Sequence, residues 1–128
     1  MMEITNGVSW LAVIVGAVAA FIAGWAWYSP KLMGKTWADG SNVTINSADN
    51  MPVEAMVAQY AGLLLLSWFV SLMAASDKLL TVILVTLGFI ALAWSGSAFA
   101  KQSVAARNIN AGYWIIAVVI MVIANAIF

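Results

Sequence analysis

The side chains able to do chemistry in this 128-residue chain are few: five Lys or Arg, five Asp or Glu and three Tyr, with neither histidine nor cysteine. Without them there is no His-based nucleophile triad, no thiolate, no Cys-ligated zinc and no disulfide. The carboxylates Glu3, Asp39, Asp49, Glu54 and Asp77 are scattered through loops and tails. No two are spaced as an acid–base pair, and no group of them could surround a metal. The expectation is that the chain is not an enzyme and holds no cofactor and no metal. Formal net charge is zero, so there is no basic surface for nucleic acid and no acidic tail.

One stretch concentrates what remains. "GWAWYSPKLMGKTW", residues 24–37, holds Trp25, Trp27, Tyr28, Pro30, Lys31, Gly34, Lys35 and Trp37. Amphipathic rings collect where a spanning helix leaves hydrocarbon for the headgroup layer. Pro30 disfavours helix at Ser29 and suits the first turn of a new segment. Beyond it, Lys31 and Lys35 are four apart, as are Met33 and Trp37. A short interfacial helix would turn a basic face to phosphates and an apolar face to acyl chains. The stretch therefore reads as a membrane exit, in preference to a ligand site.

The elements that must position these residues follow from composition. Hydrophobic residues make up 65% of the chain, charged residues 8%, and mean hydropathy is +1.01. Soluble domains are nearer 45–50% apolar and about 25% charged. Charges also divide the sequence into long uncharged runs. About 20 helical residues cross a hydrocarbon core of roughly 30 Å, and four runs meet that length. They are too long and too continuously apolar for barrel strands. The expectation is all-α: one polytopic membrane domain over residues 1–128, a bundle of four transmembrane helices at about 8–29, 55–76, 79–100 and 110–128. A polar loop at 30–53 carries the short interfacial segment after the first helix. The Ala17-Val18-Ala19 string has a signal-cleavage form, but no basic residue precedes the apolar run, so a retained helix is expected. Asn50 and Pro52 suit the start of the second helix, and Asn42-Val43-Thr44 matches a glycosylation sequon only weakly.

Lys31, Lys35, Lys101 and Arg107 fall in loops one and three, against Lys78 alone on the other side. Positive residues stay inside, so both termini are expected outside the cytoplasm, in the inner (plasma) membrane of a bacterium. Ala12, Gly16, Ala20 and Gly24 put small residues at every fourth position of the first helix. That makes a smooth groove for a helix of the same chain or of another copy. Ser and Thr within the spans are expected to bond their own helix backbone. Trp94, Ser95 and Ser97 form the one patch that reads as a candidate small-molecule contact. Its "AWSG" string also occurs in small four-helix multidrug exporters, whose coupling needs a carboxylate in the first helix. None is present here.

"WYSPKLMGKTW" resembles the signature at the end of the first helix in a family of small bacterial membrane proteins, domain-of-unknown-function family 1761. "INAGYW" at 109–114 is similar to a second motif of that family, with Gly112 and Tyr113 at the matching positions. Family members often carry His after that pair, where this chain has Trp114, so a role needing an imidazole there is not expected. The resemblance runs over the whole chain and implies the four-helix fold without supplying an activity.

No Asp, Glu, Lys, Arg or His falls inside an expected span, where a buried charge costs at least about 2.5–3.5 kcal/mol and is kept chiefly to handle ions or protons. No proline breaks a span to expose backbone for an ion. Coupled transport is therefore not expected. The sequence points to a packing, assembly or lipid-interacting protein working as an oligomer. Its expected partners are membrane lipids and copies of itself or another membrane protein. The alternative is an uncoupled channel or carrier for a small neutral or apolar solute.

Overall fold

Serines define the starts of two long helices. Ser9 has extended backbone and its Oγ accepts from the Ala12 N–H at 3.2 Å; Ser103 does the same for Ala106 at 3.1 Å. Each satisfies one of the backbone donors that a helix start leaves unpaired. In the computed structural model, which describes residues 2–29, 31–42 and 53–128, the chain is helical with no strand among the described residues. The helices are α1 (Met2–Thr5), α2 (Trp10–Trp27), α3 (Gly34–Ser41), α4 (Val53–Ala75), α5 (Leu79–Phe99) and α6 (Val104–Ile127). Four of them, α2, α4, α5 and α6, are long and apolar enough to cross a membrane. Pro30, Asn50, Pro52 and all but the first residue of the sequon lie outside the described residues.

The spans differ from the expected limits where polar residues were taken as boundaries. α6 begins six residues before position 110 because the Ser103 cap starts it. Arg107 consequently stands on the helix and not in a loop. The α4–α5 and α5–α6 turns close alike. Asp77 and Lys101 adopt left-handed backbone, φ 55° and 65°. Around them Lys78 N–H donates to Met73 O and Gln102 N–H to Ser97 O. Each capped turn sends the chain back antiparallel.

α2 is the centre, packed on both α4 and α6, while α3 lies against α6 and α5 against α6 and α4. The α2 residues buried are Ala12, Val13, Gly16, Ala17 and Ala20. The small-residue row is thus turned inward onto the chain's own helices and is two rows wide. At Gly16 an added Cβ would stand 2.9 Å from Ser67 Oγ and 3.4 Å from the Met121 Cα. Glycine there lets α4 and α6 approach α2 together, which is how helices gain contact where lipid supplies no hydrophobic drive. Leu63, Val70 and Met121 fill the space between with no exposure.

Two serines correct a sequence expectation. Ser67 Oγ donates to Val13 O at 2.8 Å, and Ser71 Oγ accepts from the Ser9 N–H at 3.0 Å. Both bond across to α2 and not to their own helix. In an apolar setting such a cross-helix bond has no water to compete with it. Ser76 does bond back onto α4, through Leu72 O, as expected; Asn125, expected to bond across helices or to water, instead donates to Met121 O of its own helix.

α5 stands apart. Val82 is its only fully buried residue. Leu80, Leu84, Leu92 and Phe99 are each more than 70% exposed.

Candidate functional site

Where α2 ends and α6 begins, the two aromatic motifs meet. Trp27 on α2 donates its indole N–H to Ile109 O on α6 at 2.9 Å. In return Tyr113 on α6 donates its hydroxyl to Ala20 O on α2, also at 2.9 Å. A glycine faces each ring: an added Cβ on Gly112 would lie 3.1 Å from the Trp27 ring, and one on Gly24 would lie 2.9 Å from Tyr113. Each helix thus contributes one large ring and the gap that receives its partner's.

Tyr28, one residue past α2, ties in the third element. Its hydroxyl donates to Asn110 Oδ1 at 2.7 Å. Its ring meets Trp37 edge-on at 5.5 Å and Tyr113 at 5.6 Å. Such aromatic pairs contribute about 0.5–1.5 kcal/mol each beyond burial. Burial first, and the neighbouring Tyr113 second, push the Tyr28 phenol well above its ordinary value. It therefore stays a protonated donor. Asn110 Nδ2 donates on to Gln102 Oε1 at 3.4 Å, and Gln102 Nε2 donates to Ser41 Oγ at 2.8 Å. The line Tyr28–Asn110–Gln102–Ser41 joins α2, α6, the α5–α6 turn and α3.

α3 is held close because two glycines permit it. A Cβ on Gly34 would run into the carbonyl oxygens of Tyr28 and Ser29, and one on Gly40 into Ser103 and Ala106. The Gly40 carbonyl accepts from the Ser103 N–H at 2.9 Å.

This geometry divides the expected membrane-exit residues. Trp25, 61% exposed, and the exposed Lys31, Met33 and Lys35 face outward. Trp27, Tyr28, Gly34 and Trp37 face inward. The expected apolar face of Met33 and Trp37 toward acyl chains is corrected accordingly, since the Trp37 ring lies on Tyr28 and its buried Nε1 has no partner among the described residues.

Residues 11–125, nearly the whole chain, match the family described as "Protein of unknown function (DUF1761)". The chain belongs to that family. The two segments that resemble motifs of that family are the two sides of the junction just described. Neither a curated protein nor a solved structure matches the chain.

Trp94, Ser95 and Ser97 are not among the residues lining the apolar cleft described below. The Trp94 ring is covered by the Arg107 guanidinium, 4.4 Å from its centroid, and its N–H donates to Asn108 Oδ1 at 3.1 Å. Arg107 Nε donates to Gln102 O at 3.0 Å. An apolar cleft of about 110 Å³ lies instead between α4, α5 and α6, lined by Leu66, Val85, Thr86, Phe89, Trp114 and Val118. Among the described residues no three potential metal-binding side chains come together. Apart from Trp37 Nε1, the junction's donors and acceptors named above are neutral and engage one another. That arrangement locks the helices together.

Proposed function

We propose that the protein is a multi-pass protein of the inner (plasma) membrane, with both termini outside the cytoplasm. It acts by packing against lipid and against further copies of itself, not by catalysis. The observation that carries this reading is α5. Its side chains are apolar almost all round, only Val82 is buried, and Gly88 and Gly96 leave open space beside the backbone. Such a surface is suited to hydrocarbon and to close helix approach. In water it would be an aggregation site. The α2–α4–α6 core is rigidly locked at one end by the motif junction, so α5 is the natural surface for changing partners. Leu63, Val70, Tyr113 and Met121 close the space between those helices, which weighs against an uncoupled channel through a single chain. The excess of Lys and Arg beside α3 and the α5–α6 turn supports the orientation.

The chain has no cysteine, so single cysteines report contacts cleanly. Ser95→Cys on α5 should yield a disulfide-linked dimer on oxidation of native membranes. Ile22→Cys, on the exposed side of α2, should not. Monomer alone from Ser95→Cys, and from Gly88→Cys beside it on the same helix, would contradict self-association through α5.

A further inference from the structure

Arg107 is an arginine with its aromatic and backbone supports in place and no carboxylate beside it among the described residues. The ring of Trp94 and the Gln102 carbonyl fix its guanidinium, yet no acidic side chain pairs with it among the described residues. A guanidinium held flat in this way has its terminal N–H groups preorganised for a phosphate. It stands on the first turns of α6, at the end of a spanning helix, which is the depth of the headgroup layer.

The apolar cleft is aligned with it. Arg107 and Trp114 are seven residues apart on α6, so they share a face and lie about 10 Å apart along the axis. Both turn toward α5, Arg107 onto Trp94 and Trp114 edge-on to Phe89 at 5.1 Å. Cation above and hydrocarbon slot below, on one helix seam, match a molecule with an anionic head and an apolar tail. The slot's volume of about 110 Å³ is smaller than the roughly 150 Å³ that accepts benzene, which suits a length of chain better than a ring.

We propose that the α5–α6 seam binds one anionic phospholipid, its phosphate on Arg107 beside Trp94 and one acyl chain in the cleft at Phe89 and Trp114. The proposal rests on the lipid-interacting part of the function above and names its site. Thr86 is the only hydroxyl-bearing residue on the cleft wall, so selectivity comes from the head and not from the tail.

The test uses the full chain in mild detergent, equilibrated with equal amounts of phosphatidylglycerol and phosphatidylcholine of identical chains. Bound lipid is counted by native mass spectrometry. The wild type should retain phosphatidylglycerol selectively. Arg107→Gln should lower that retention about tenfold, the scale of one charge-assisted contact, and Arg107→Lys should fall between. Thr86→Phe, which fills the cleft, should reduce binding of both lipids, whereas Lys78→Gln in the exposed α4–α5 turn should change neither. Undiminished selectivity in Arg107→Gln, or undiminished binding of both lipids in Thr86→Phe, would overturn the proposal. Loss of bound phosphatidylglycerol on adding millimolar inorganic phosphate would show a free-anion site, and also overturn it. If Arg107→Gln does not fold, Trp94→Leu carries the test, with the same loss of selectivity expected and unchanged selectivity contradicting it. Whether the protein is embedded at all is read separately, by its resistance to alkaline extraction from membranes. Failure there would remove the functional reading, whereas a lipid-binding failure alone would remove only the site.

Discussion

Gly24→Ala and Gly88→Ala are the same chemical change on two spanning helices, and the structure gives them opposite signs. At Gly24 the new Cβ would sit 2.9 Å from three atoms of Tyr113, about 0.5 Å inside ordinary contact. Tyr113 is 1% exposed, wedged between Tyr28 and Trp114, with its hydroxyl bonded to Ala20 O. The ring can move only by losing that bond. Overpacking costs about 1–3 kcal/mol and the hydrogen bond about 0.5–1.5. Against this, Ala gains about 1 kcal/mol over Gly in a helix interior. The net is a destabilisation of about 0.5–3.5 kcal/mol. At Gly88 the Cβ meets nothing within 4 Å, so only the propensity gain of up to about 1 kcal/mol remains. Thermal unfolding in a single detergent, followed by far-ultraviolet circular dichroism, should show Gly24→Ala melting several degrees below wild type. Gly88→Ala should melt at or above it. Equal shifts at the two sites would refute the idea that reciprocal glycine–aromatic pairs hold α2 to α6.

The other expectations concern the same core and junction. Gly16→Leu should lower the melting temperature strongly, because its side chain would enter Ser67 and the Met121 backbone. Ile14→Leu, on the 53% exposed side of α2, should change it little. The raised phenol of Tyr28 makes a stability contribution that is complete below its ordinary value near pH 10 and lost as pH rises above it,. Wild type should therefore lose stability above about pH 10, and Tyr28→Phe should lose less over that range while being less stable at neutral pH. Replacing Lys31 and Lys35 together by Gln cuts the basic residues on the α3 side from four to two, against one on the other. Some molecules should then insert inverted, and unchanged topology would mean that other residues fix it.

Four uncharged runs were enough to place α2, α4, α5 and α6, since hydrocarbon demands length and apolarity and little else. The small-residue row of α2 was legible as a groove. Its width was not: Val13, one position along from Ala12, is buried too. That depends on two partners closing on α2 at once. Polar Arg107 masks the start of α6, although Ser103 three residues before Ala106 is an ordinary capping signal,. The inward turn of Trp27, Tyr28 and Trp37 was hidden more deeply. Local spacing around Pro30 suggests a membrane exit, whereas the bonds that orient Trp27 and Tyr28 reach 82 residues along the chain, to Ile109 and Asn110. The usable sign was complementarity between the motifs, ring donors in one and Gly112 with an amide in the other. Ser67 and Ser71 gave a parallel sign, two hydroxyls four apart on one face of an apolar helix.

Four membrane-spanning helices put the motif junction and the α4–α5 turn on opposite sides of a membrane. Thr36, exposed on α3, and Ser76, exposed in the α4–α5 turn, can each be changed to cysteine in a chain that has none. The Ser76→Cys thiol should react with an impermeant thiol reagent in intact cells, and the Thr36→Cys thiol only after the membrane is opened. Equal labelling of both in intact cells would contradict the four-span arrangement, and the reverse pattern would turn the proposed orientation upside down.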